Sequence, residues 1–395
     1  MPAQRIDELR KTYEGALLEN VLPFWIRHSP DHEHGGFFSS LDRDGRVLDP
    51  DKAMWVQGRF SWLLATLCLE MGAEENWRRL ALHGITFLRE HGFDQDGRMW
   101  FHVTQDGRPL RKRRYVFTEC FAAMAFAAWA RLAGDADAER TANTLLDLVV
   151  HHLRAPVPAK TEATRPMKSL GAPMILLNLA QVFRQTIEHA DADALADAAI
   201  AEIRDHFVKP ELGVVMENVA PDGRVVDATF DGRLLNPGHA IEAAWFILEE
   251  ARVRGGDAGL IALGTSMLDM TWKRGWDPVE GGLLYFCALD GGPVAEYWHD
   301  MKFWWPHCEA IIATLFAYEL TGRDAYLDLH RQVHDWTFKH FPDPVHGEWY
   351  GYLHRDGRIS VPLKGNLWKG PFHIPRMLLL CRQACLRMTG RTGSG

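Results

Sequence analysis

Apolar residues recur at helical spacing in twelve segments of the chain. Apolar positions at i, i+3, i+4 and i+7 mark one buried face of an α-helix, and these segments are too long to be strands. The predicted helices cover approximately residues 6–26, 53–71, 75–91, 115–133, 136–153, 168–187, 191–207, 238–255, 257–273, 303–321, 324–341 and 370–389. We therefore expect a chain built mainly of α-helices.

The links between these helices alternate between two lengths. Very short links, such as 133–137 and 254–259, close neighbouring helices into hairpins, and much longer links separate one pair from the next. The long links repeat an acidic turn, a glycine, an alternating aromatic strand and a D-G turn. This unit occurs at 31–46, 277–292 and 344–358, with looser copies at 93–108 and 221–233. Since D-G between alternating apolar residues is typical of a β-hairpin, each long link is predicted to carry one.

Six helix pairs with loops sorted by length predict an all-α (α/α)6 toroid of twelve helices, with short β-hairpins in the long loops on one face. A plain α-solenoid is the alternative, but its repeats are more uniform and need no hairpins on one face. The even-numbered helices would form the inner ring and open onto the long-loop face, where a cleft is expected. We expect one domain over residues 1–395, with an ordered core at about 5–389 and a short C-terminal tail.

Composition narrows the classes of function. A net charge of −8 gives no basic surface for nucleic acid, so no nucleic-acid partner is expected. No apolar run approaches the roughly 18 residues that a membrane span requires, so no membrane association is expected. The six cysteines include no CxxC pair, which favours reduced thiols and a cytoplasmic location.

Polar and ionisable side chains stand in the first turns of the predicted inner helices. Inside an apolar ring such groups must be paired or functional, and equivalent positions on successive inner helices would bring them to one cavity. The residues are Trp55, Gln57 and Arg59; Glu119; Met174 and Asn178; His239 and Glu242; Trp304, Trp305, His307 and Glu309; and His373 and Arg376. This convergence is the strongest functional signal that the residues themselves provide.

His239 and His373 are the principal candidates for proton transfer. An imidazole titrates near neutral pH, and a helix N-terminus is expected to lower its pKa and keep it neutral, ready to accept a proton. Either histidine alone could be structural, but two at inner-helix starts favour abstraction of a proton next to a carbonyl. Glu242 is predicted to orient or protonate His239, and Glu309 to act in the same way on a second group.

The other candidates have both a functional and a structural interpretation. Arg59 could stabilise an enolate oxygen, or it could be the buried ion-pair partner of Glu242 or Glu309. Trp304 and Trp305 could be a sugar-stacking wall or plain core. The further candidates for substrate binding are Trp55, Glu119, Asn178 and Trp368.

Other chemistries have no support in the motifs. There is no GxSxG, P-loop or HExxH sequence and no GxGxxG opening a helix. His239, His373 and Glu309 could in principle bind a metal, but their spacing along the chain matches no local metal-ligand motif, so no metal is expected. Glycosidases on this fold need two carboxylates across the scissile bond, whereas the predicted site is richer in histidine. Proton transfer is therefore favoured over hydrolysis, which remains an alternative.

Six long motifs resemble the N-acylglucosamine 2-epimerase family, whose animal members are also called renin-binding protein. They are "WVQGR", "NPGHAIEAAWF", "GWDPVEGGLLYF", "KFWWPHCEAIIA", "DPVHGEWYGYLHRDGR" and "KGPFHIPR". The resemblance extends from about residue 24 to about residue 385 and implies an (α/α)6 fold. It assigns the essential arginine to Arg59, the acid/base histidines to His239 and His373, and the active-site glutamates to Glu242 and Glu309. It also implies that no cofactor is required, that ATP could be an activator that is not consumed, and that the chain forms a homodimer.

The resemblance implies opening of the sugar ring, removal of the C2 proton by one histidine, and return of a proton to the opposite face by the other. The expected reaction interconverts N-acetylglucosamine and N-acetylmannosamine. The alternatives are a 2-epimerase or aldose–ketose isomerase of free hexoses (mannose, glucose, fructose) or of a disaccharide such as cellobiose, and a non-catalytic binding protein. The sequence leaves open which histidine acts as the base in which direction.

Overall fold

A computed structural model describes residues 3–72, 74–154 and 164–390, so the predicted tail beyond residue 390 lies outside it. The helices are α1 (Ala3–Gly15), α2 (Leu22–His28), α3 (Met54–Met71), α4 (Glu75–His91), α5 (Phe117–Ala133), α6 (Ala136–Arg154), α7 (Gly171–Thr186), α8 (Ala192–Glu202), α9 (Phe230–Arg233), α10 (Pro237–Val253), α11 (Ala258–Gly275), α12 (Trp304–Thr321), α13 (Asp324–His340) and α14 (His373–Met388). A π-helical turn over Ala16–Val21 joins α1 to α2, and another over Ile203–Phe207 extends α8. The twelve predicted helices are confirmed, and α9 is an additional short turn in a long loop.

The helices form two concentric rings. Helices α3, α5, α7, α10, α12 and α14 contact one another in that order, and each also packs mainly against one outer helix. Helix α1 packs against α14, so the first and last helices pair and close the ring. The inner helices are buried on almost every side: in α12 every residue from Trp304 to Ala317 is buried. No helix in the described part of the chain has the length and apolar character needed to cross a membrane.

The strands are short and all lie in the long loops. They are β1 (Ser40–Leu41), β2 (Val47–Asp49), β3 (Lys52–Ala53), β4 (Trp100–Val103), β5 (Pro109–Lys112), β6 (Lys168–Ser169), β7 (Val208–Lys209), β8 (Val214–Val215), β9 (Asn218–Val219), β10 (Leu234–Leu235), β11 (Cys287–Ala288), β12 (Lys302–Phe303), β13 (Tyr352–Leu353) and β14 (Ile359–Val361). The D-G turns at 44–45, 106–107 and 356–357 close antiparallel hairpins as predicted.

The hairpin predicted for 277–292 is wrong in its pairing. Strand β11 pairs with β10 in the preceding long loop instead of folding back on its own loop. Strand β9 likewise pairs with β6, and the strands before α3 and α12 pair with β4 and β13 of the next loop. The strands before α3, α7, α10 and α12 thus tie their loops to the following ones, and we call this loop face above the inner ring the collar.

A buried aspartate–lysine pair lies in three of these loops. Each aspartate caps the acidic turn through backbone N–H groups, and its lysine ammonium lies 2.7–3.0 Å away. The pairs are Asp31–Lys52, Asp277–Lys302 and Asp343–Lys364, and each aspartate also accepts a hydrogen bond from a neighbouring loop, through Gln105, Arg355 and Arg43 respectively. These contacts lower the pKa of all three aspartates against the opposing effect of burial. The collar is therefore held together by charge as well as by strand pairing.

The close approach of α3 to α5 requires a glycine. A Cβ on Gly58 would lie 2.8 Å from the backbone carbon and oxygen of Phe121, atoms that cannot move without shifting α5. We expect Gly58→Ala to lower the free energy of unfolding by about 1–3 kcal/mol, measured by denaturant titration. Gly15→Ala is the matched control, because a Cβ there would meet only the Glu19 carboxylate at 4.0 Å. The control should be stabilised by up to about 1 kcal/mol, and equal losses in both variants would contradict the close packing.

Candidate active site

A cavity of about 520 Å³ lies on the ring axis at the N-terminal ends of the inner helices, beneath the collar. Its lining comes from all six inner helices or their first residues, and in α3 and α5 the lining positions are four residues apart, which places them on one face of the helix. The lining residues are Trp55, Arg59, Phe117, Phe121, Met174, Ile175, Asn178, His239, Glu242, Phe246, Trp304, Trp305, Phe372, His373 and Arg376, with Tyr285, Trp298, Phe303, Tyr352 and Trp368 from the loops and strands. We call this space the central cavity.

Most of the residues singled out from the sequence meet here. The central cavity brings together Trp55, Arg59, Asn178, His239, Glu242, Trp304, Trp305, Trp368 and His373. Glu309 lies directly behind His373, fully buried.

Glu119 does not line the central cavity, so its prediction as a substrate-binding residue is wrong. Its Oε1 accepts hydrogen bonds from Arg98 Nε at 2.6 Å and from the Met99 backbone N–H at 2.9 Å. At roughly 100° per residue, Glu119 points to the opposite side of α5 from Phe117 and Phe121, which do line the cavity. Glu119 instead secures the segment that leads from α4 into β4.

The His373 imidazole is held by a buried carboxylate. His373 Nδ1 donates to Glu309 Oε1 at 2.7 Å. The other carboxylate oxygen, Oε2, accepts from Trp245 Nε1 and from Arg376 Nη2, both at 2.7 Å. Because Arg376 neutralises Glu309, burial together with Arg376 and Arg59 lowers the pKa of His373 well below its usual range. His373 is therefore neutral at physiological pH, with Nε2 available to accept a proton.

The His239 imidazole has a different carboxylate partner from the one predicted. Its Nδ1 donates to the Glu217 carboxylate at 3.0 Å, whereas Glu242 accepts from Arg376 Nη2 at 2.7 Å. The prediction that Glu242 orients His239 is therefore wrong. Glu242 lies one turn further into α10, at the level of Arg376, which is one turn into α14. Asn236 caps α10 by accepting from the His239 backbone N–H, and this orients the start of the helix.

The predicted lowering of the His239 pKa is also wrong. Burial by itself lowers the pKa of His239, but the carboxylate of Glu217, together with the weaker attraction of Glu242 and Glu309, outweighs burial and raises the pKa above its ordinary value. A helix N-terminus repels an imidazolium only weakly compared with the attraction of a carboxylate in hydrogen-bond contact. The central cavity is thus lined by one imidazole that favours donating a proton and one that favours accepting a proton.

Trp305 contacts both imidazoles. Its ring centroid lies 5.2 Å from that of His239 and 5.9 Å from that of His373. A bulky buried indole between the two bases fixes their spacing and excludes water from the wall of the central cavity.

Arg59 is a buried cation without a carboxylate partner among the described residues. Its guanidinium carbon lies 4.0 Å from the Phe121 ring centroid and 4.7 Å from that of Phe372, and Nη1 reaches only the Trp368 carbonyl at 3.4 Å. The Nε–H has no acceptor in the described part of the protein. Burial and the neighbouring Arg376 lower the pKa of Arg59 to about 9, so it remains charged at neutral pH. The interpretation as an ion-pair partner is therefore wrong, and the guanidinium is available to a developing oxyanion.

Glu242, Glu309 and His373 place potential metal-ligand atoms within 4.8 Å of one another. However, Arg376 Nη2 already donates to both carboxylates at 2.7 Å. A divalent cation between the two carboxylates would be repelled by the positively charged guanidinium. The carboxylate oxygens therefore suit Arg376 better than a metal ion.

Several functional partners escaped sequence reasoning. Glu217 lies in irregular loop sequence and Trp245 within the apolar stretch 243–248 of α10, and no periodicity distinguishes either of them. Asn236 had a recognisable signal, because an asparagine before Pro237 is a typical helix N-cap. Aromatic loop residues such as Tyr285 and Tyr352 also line the central cavity, but the alternating pattern in which they lie indicates only a strand.

Comparisons with known proteins agree with this geometry. The family model of N-acylglucosamine 2-epimerase matches residues 36–374. The N-acylglucosamine 2-epimerase of Rattus norvegicus is 38% identical, with 96% of this chain and 92% of the rat protein covered. The cellobiose 2-epimerase of Bacteroides fragilis is 26% identical over 94% of this chain and 98% of its own. The solved cellobiose 2-epimerase of Bacillus thermoamylovorans superposes with a TM-score of 0.83 at 20% identity, covering 95% of this chain and 99% of its own, which confirms the toroidal fold.

Proposed function

The chain belongs to the N-acylglucosamine 2-epimerase family and is a carbohydrate epimerase of that type, and we propose that it interconverts N-acetylglucosamine and N-acetylmannosamine. The observation that carries the proposal is the pair of imidazoles on one cavity, of which His239 favours the protonated form and His373 the neutral form. Two groups with separated pKa values are what a base and an acid acting on the same carbon require.

The reaction begins with the open-chain aldehyde in the central cavity. His373 Nε2 removes the proton at C2, and the electron pair moves into the C1 carbonyl to form an enediol-like anion. The oxygen of this anion faces the uncommitted Arg59 guanidinium, which stabilises its negative charge. His239 then donates a proton to the opposite face of C2, the C1 carbonyl re-forms, and the configuration at C2 is inverted. For the other epimer the two imidazoles exchange roles.

The acyl substituent decides which product forms. With an N-acyl group on C2, the intermediate cannot collapse to a 2-ketose, so epimerisation is the outcome. A free 2-hydroxyl would permit transfer of the proton between C2 and C1, and thus isomerisation. The identity of 38% to an N-acylglucosamine 2-epimerase, against 26% to a cellobiose 2-epimerase, supports the N-acylated substrate.

The proposal is tested by proton NMR of N-acetylmannosamine incubated with the protein in D2O. The appearance of N-acetylglucosamine carrying deuterium at C2 would support both the substrate and the proton-transfer route. The double variant His239→Ala/His373→Ala is the control and should produce neither signal. Conversion of mannose to glucose or fructose, or of cellobiose, without reaction of the N-acetyl sugars would overturn the substrate assignment and leave the two-histidine chemistry in place.

ATP as an activator that is not consumed, and a homodimeric state, remain proposals. Residues 165–179 supply Met174, Ile175 and Asn178 to the central cavity. Lys168, in the same segment, already forms hydrogen bonds with Glu202 and His206. These contacts leave Lys168 poorly suited to a phosphate group. A parallel incubation with ATP, with the nucleotide quantified afterwards, tests activation without hydrolysis, and sedimentation equilibrium tests the dimer.

A further inference from the structure

We propose that Glu217 is the positioning residue of the second base: it holds the proton of His239 on Nδ1 and keeps the imidazole charged, so that this side of the central cavity acts as the proton donor. The proposal rests on the two-histidine reaction above and adds a residue that neither the sequence motifs nor the resemblance assigns.

The geometry of Glu217 suits this role. Its two carboxylate oxygens lie 3.0 and 3.1 Å from His239 Nδ1. The side chain is only 12% exposed. Its backbone is also anchored, because the Glu217 carbonyl accepts from the Leu170 N–H at 2.9 Å, at the residue that precedes α7. A carboxylate can only accept hydrogen bonds, so it fixes the proton on Nδ1 and leaves Nε2 for the substrate.

The two histidine–glutamate pairs differ in the charge that surrounds the carboxylate. Glu309 receives donors from Trp245 and Arg376 besides His373, so its negative charge is shared with a guanidinium. Glu217 has no lysine or arginine ion-pair partner in the described ranges, so no guanidinium or ammonium shares its charge with His239. An unshared carboxylate stabilises an imidazolium, whereas a neutralised one does not. The direction of each histidine's pKa shift agrees with this difference.

One consequence is a cycle of proton positions. The pair of imidazoles begins a turnover with one positive charge: His239 carries a proton on each nitrogen, stabilised by Glu217, and His373 carries only its Nδ1 proton. Inversion at C2 moves one proton onto His373 and removes one from His239. The total is unchanged, but the proton is now on the imidazole whose surroundings disfavour it, so it returns to His239 through exchange with water before the next turnover in the same direction.

The test is Glu217→Gln, whose amide oxygen still accepts from Nδ1 but carries no charge. The pKa of His239 should fall, so the basic limb of the kcat/KM profile should move to lower pH by about 1–3 units, the size expected for loss of an adjacent opposite charge. The acidic limb, which reports His373, should stay in place. In D2O the ratio of deuterated substrate to deuterated product should be higher for the variant than for the wild type. This change is expected only when the starting sugar is the epimer whose C2 proton is removed by His373.

Glu211→Gln makes the same chemical change on an exposed residue of the same loop and should match the wild type in every measurement. Glu217→Asp retains the charge and should keep a basic limb near that of the wild type even if kcat falls. Equal thermal unfolding midpoints would show that each variant is folded. An unshifted basic limb in a folded Glu217→Gln variant would overturn the proposal, whereas a wild type that gives no epimer would instead refute the proposed function.

Discussion

His373→Asn is expected to abolish epimerisation while leaving exchange of the C2 hydrogen with solvent intact for one of the two epimers. General acid–base groups contribute about 10²–10⁴ in rate, and the missing imidazole is needed for inversion in both directions. In the variant, His239 can still remove a proton from its own face of C2 and return one there. One epimer should therefore exchange its C2 hydrogen for solvent deuterium without changing configuration. The asparagine amide can replace the bond from His373 Nδ1 to Glu309, so the fold should be retained.

His239→Asn should show the complementary behaviour, with solvent exchange only in the other epimer. The measurement is NMR of each recovered sugar after incubation of each variant in D2O. His354→Asn is the matched control, since His354 is exposed on the β13–β14 turn, and it should leave both rates unchanged. If both single variants exchanged the same epimer, or if either epimerised at the wild-type rate, the assignment of one histidine to each face would be wrong.

Arg59→Met is expected to reduce kcat by about 10²–10³ with little loss of stability. Removal of one group that stabilises a developing oxyanion typically has an effect of this size. The guanidinium is buried against Phe121 and Phe372 without a carboxylate partner, and methionine offers a similar volume with no charge to desolvate. The free energy of unfolding should therefore stay within about 1 kcal/mol of the wild type, as measured by denaturant titration beside steady-state kinetics.

Arg376→Met is the contrasting variant on the same cavity. Its guanidinium bridges Glu242 and Glu309, so its removal leaves two buried carboxylates without their shared cation. Breaking such a group typically costs about 3–5 kcal/mol of stability. If Arg59→Met were destabilised as strongly as Arg376→Met, Arg59 would be a structural ion and its proposed contact with the oxyanion would lose its basis.

The ring of helices could be predicted because the relevant signal is local. An inner helix such as α12 is apolar on nearly every side and an outer helix such as α6 on one face only, and each pattern lies within a single segment of sequence. Loop length then orders the helices around the ring. Strand pairing was harder to predict from the sequence, because β11 could pair either within its own loop or with β10. Only the packing of the collar selects between these two partners.

The sequence by itself determined which helices exist, which of their ends meet on the ring axis, and that two histidines and an arginine lie there. Only the tertiary structure decided which carboxylate contacts which imidazole. Glu217 precedes His239 by 22 residues and Glu309 precedes His373 by 64, whereas the nearer Glu242 is turned towards Arg376. A helical period fixes the direction of a side chain along its own helix, but a hydrogen bond depends on distances of about 3 Å between segments far apart in the chain. Those distances set the two pKa values in opposite directions, and so separate the acid from the base.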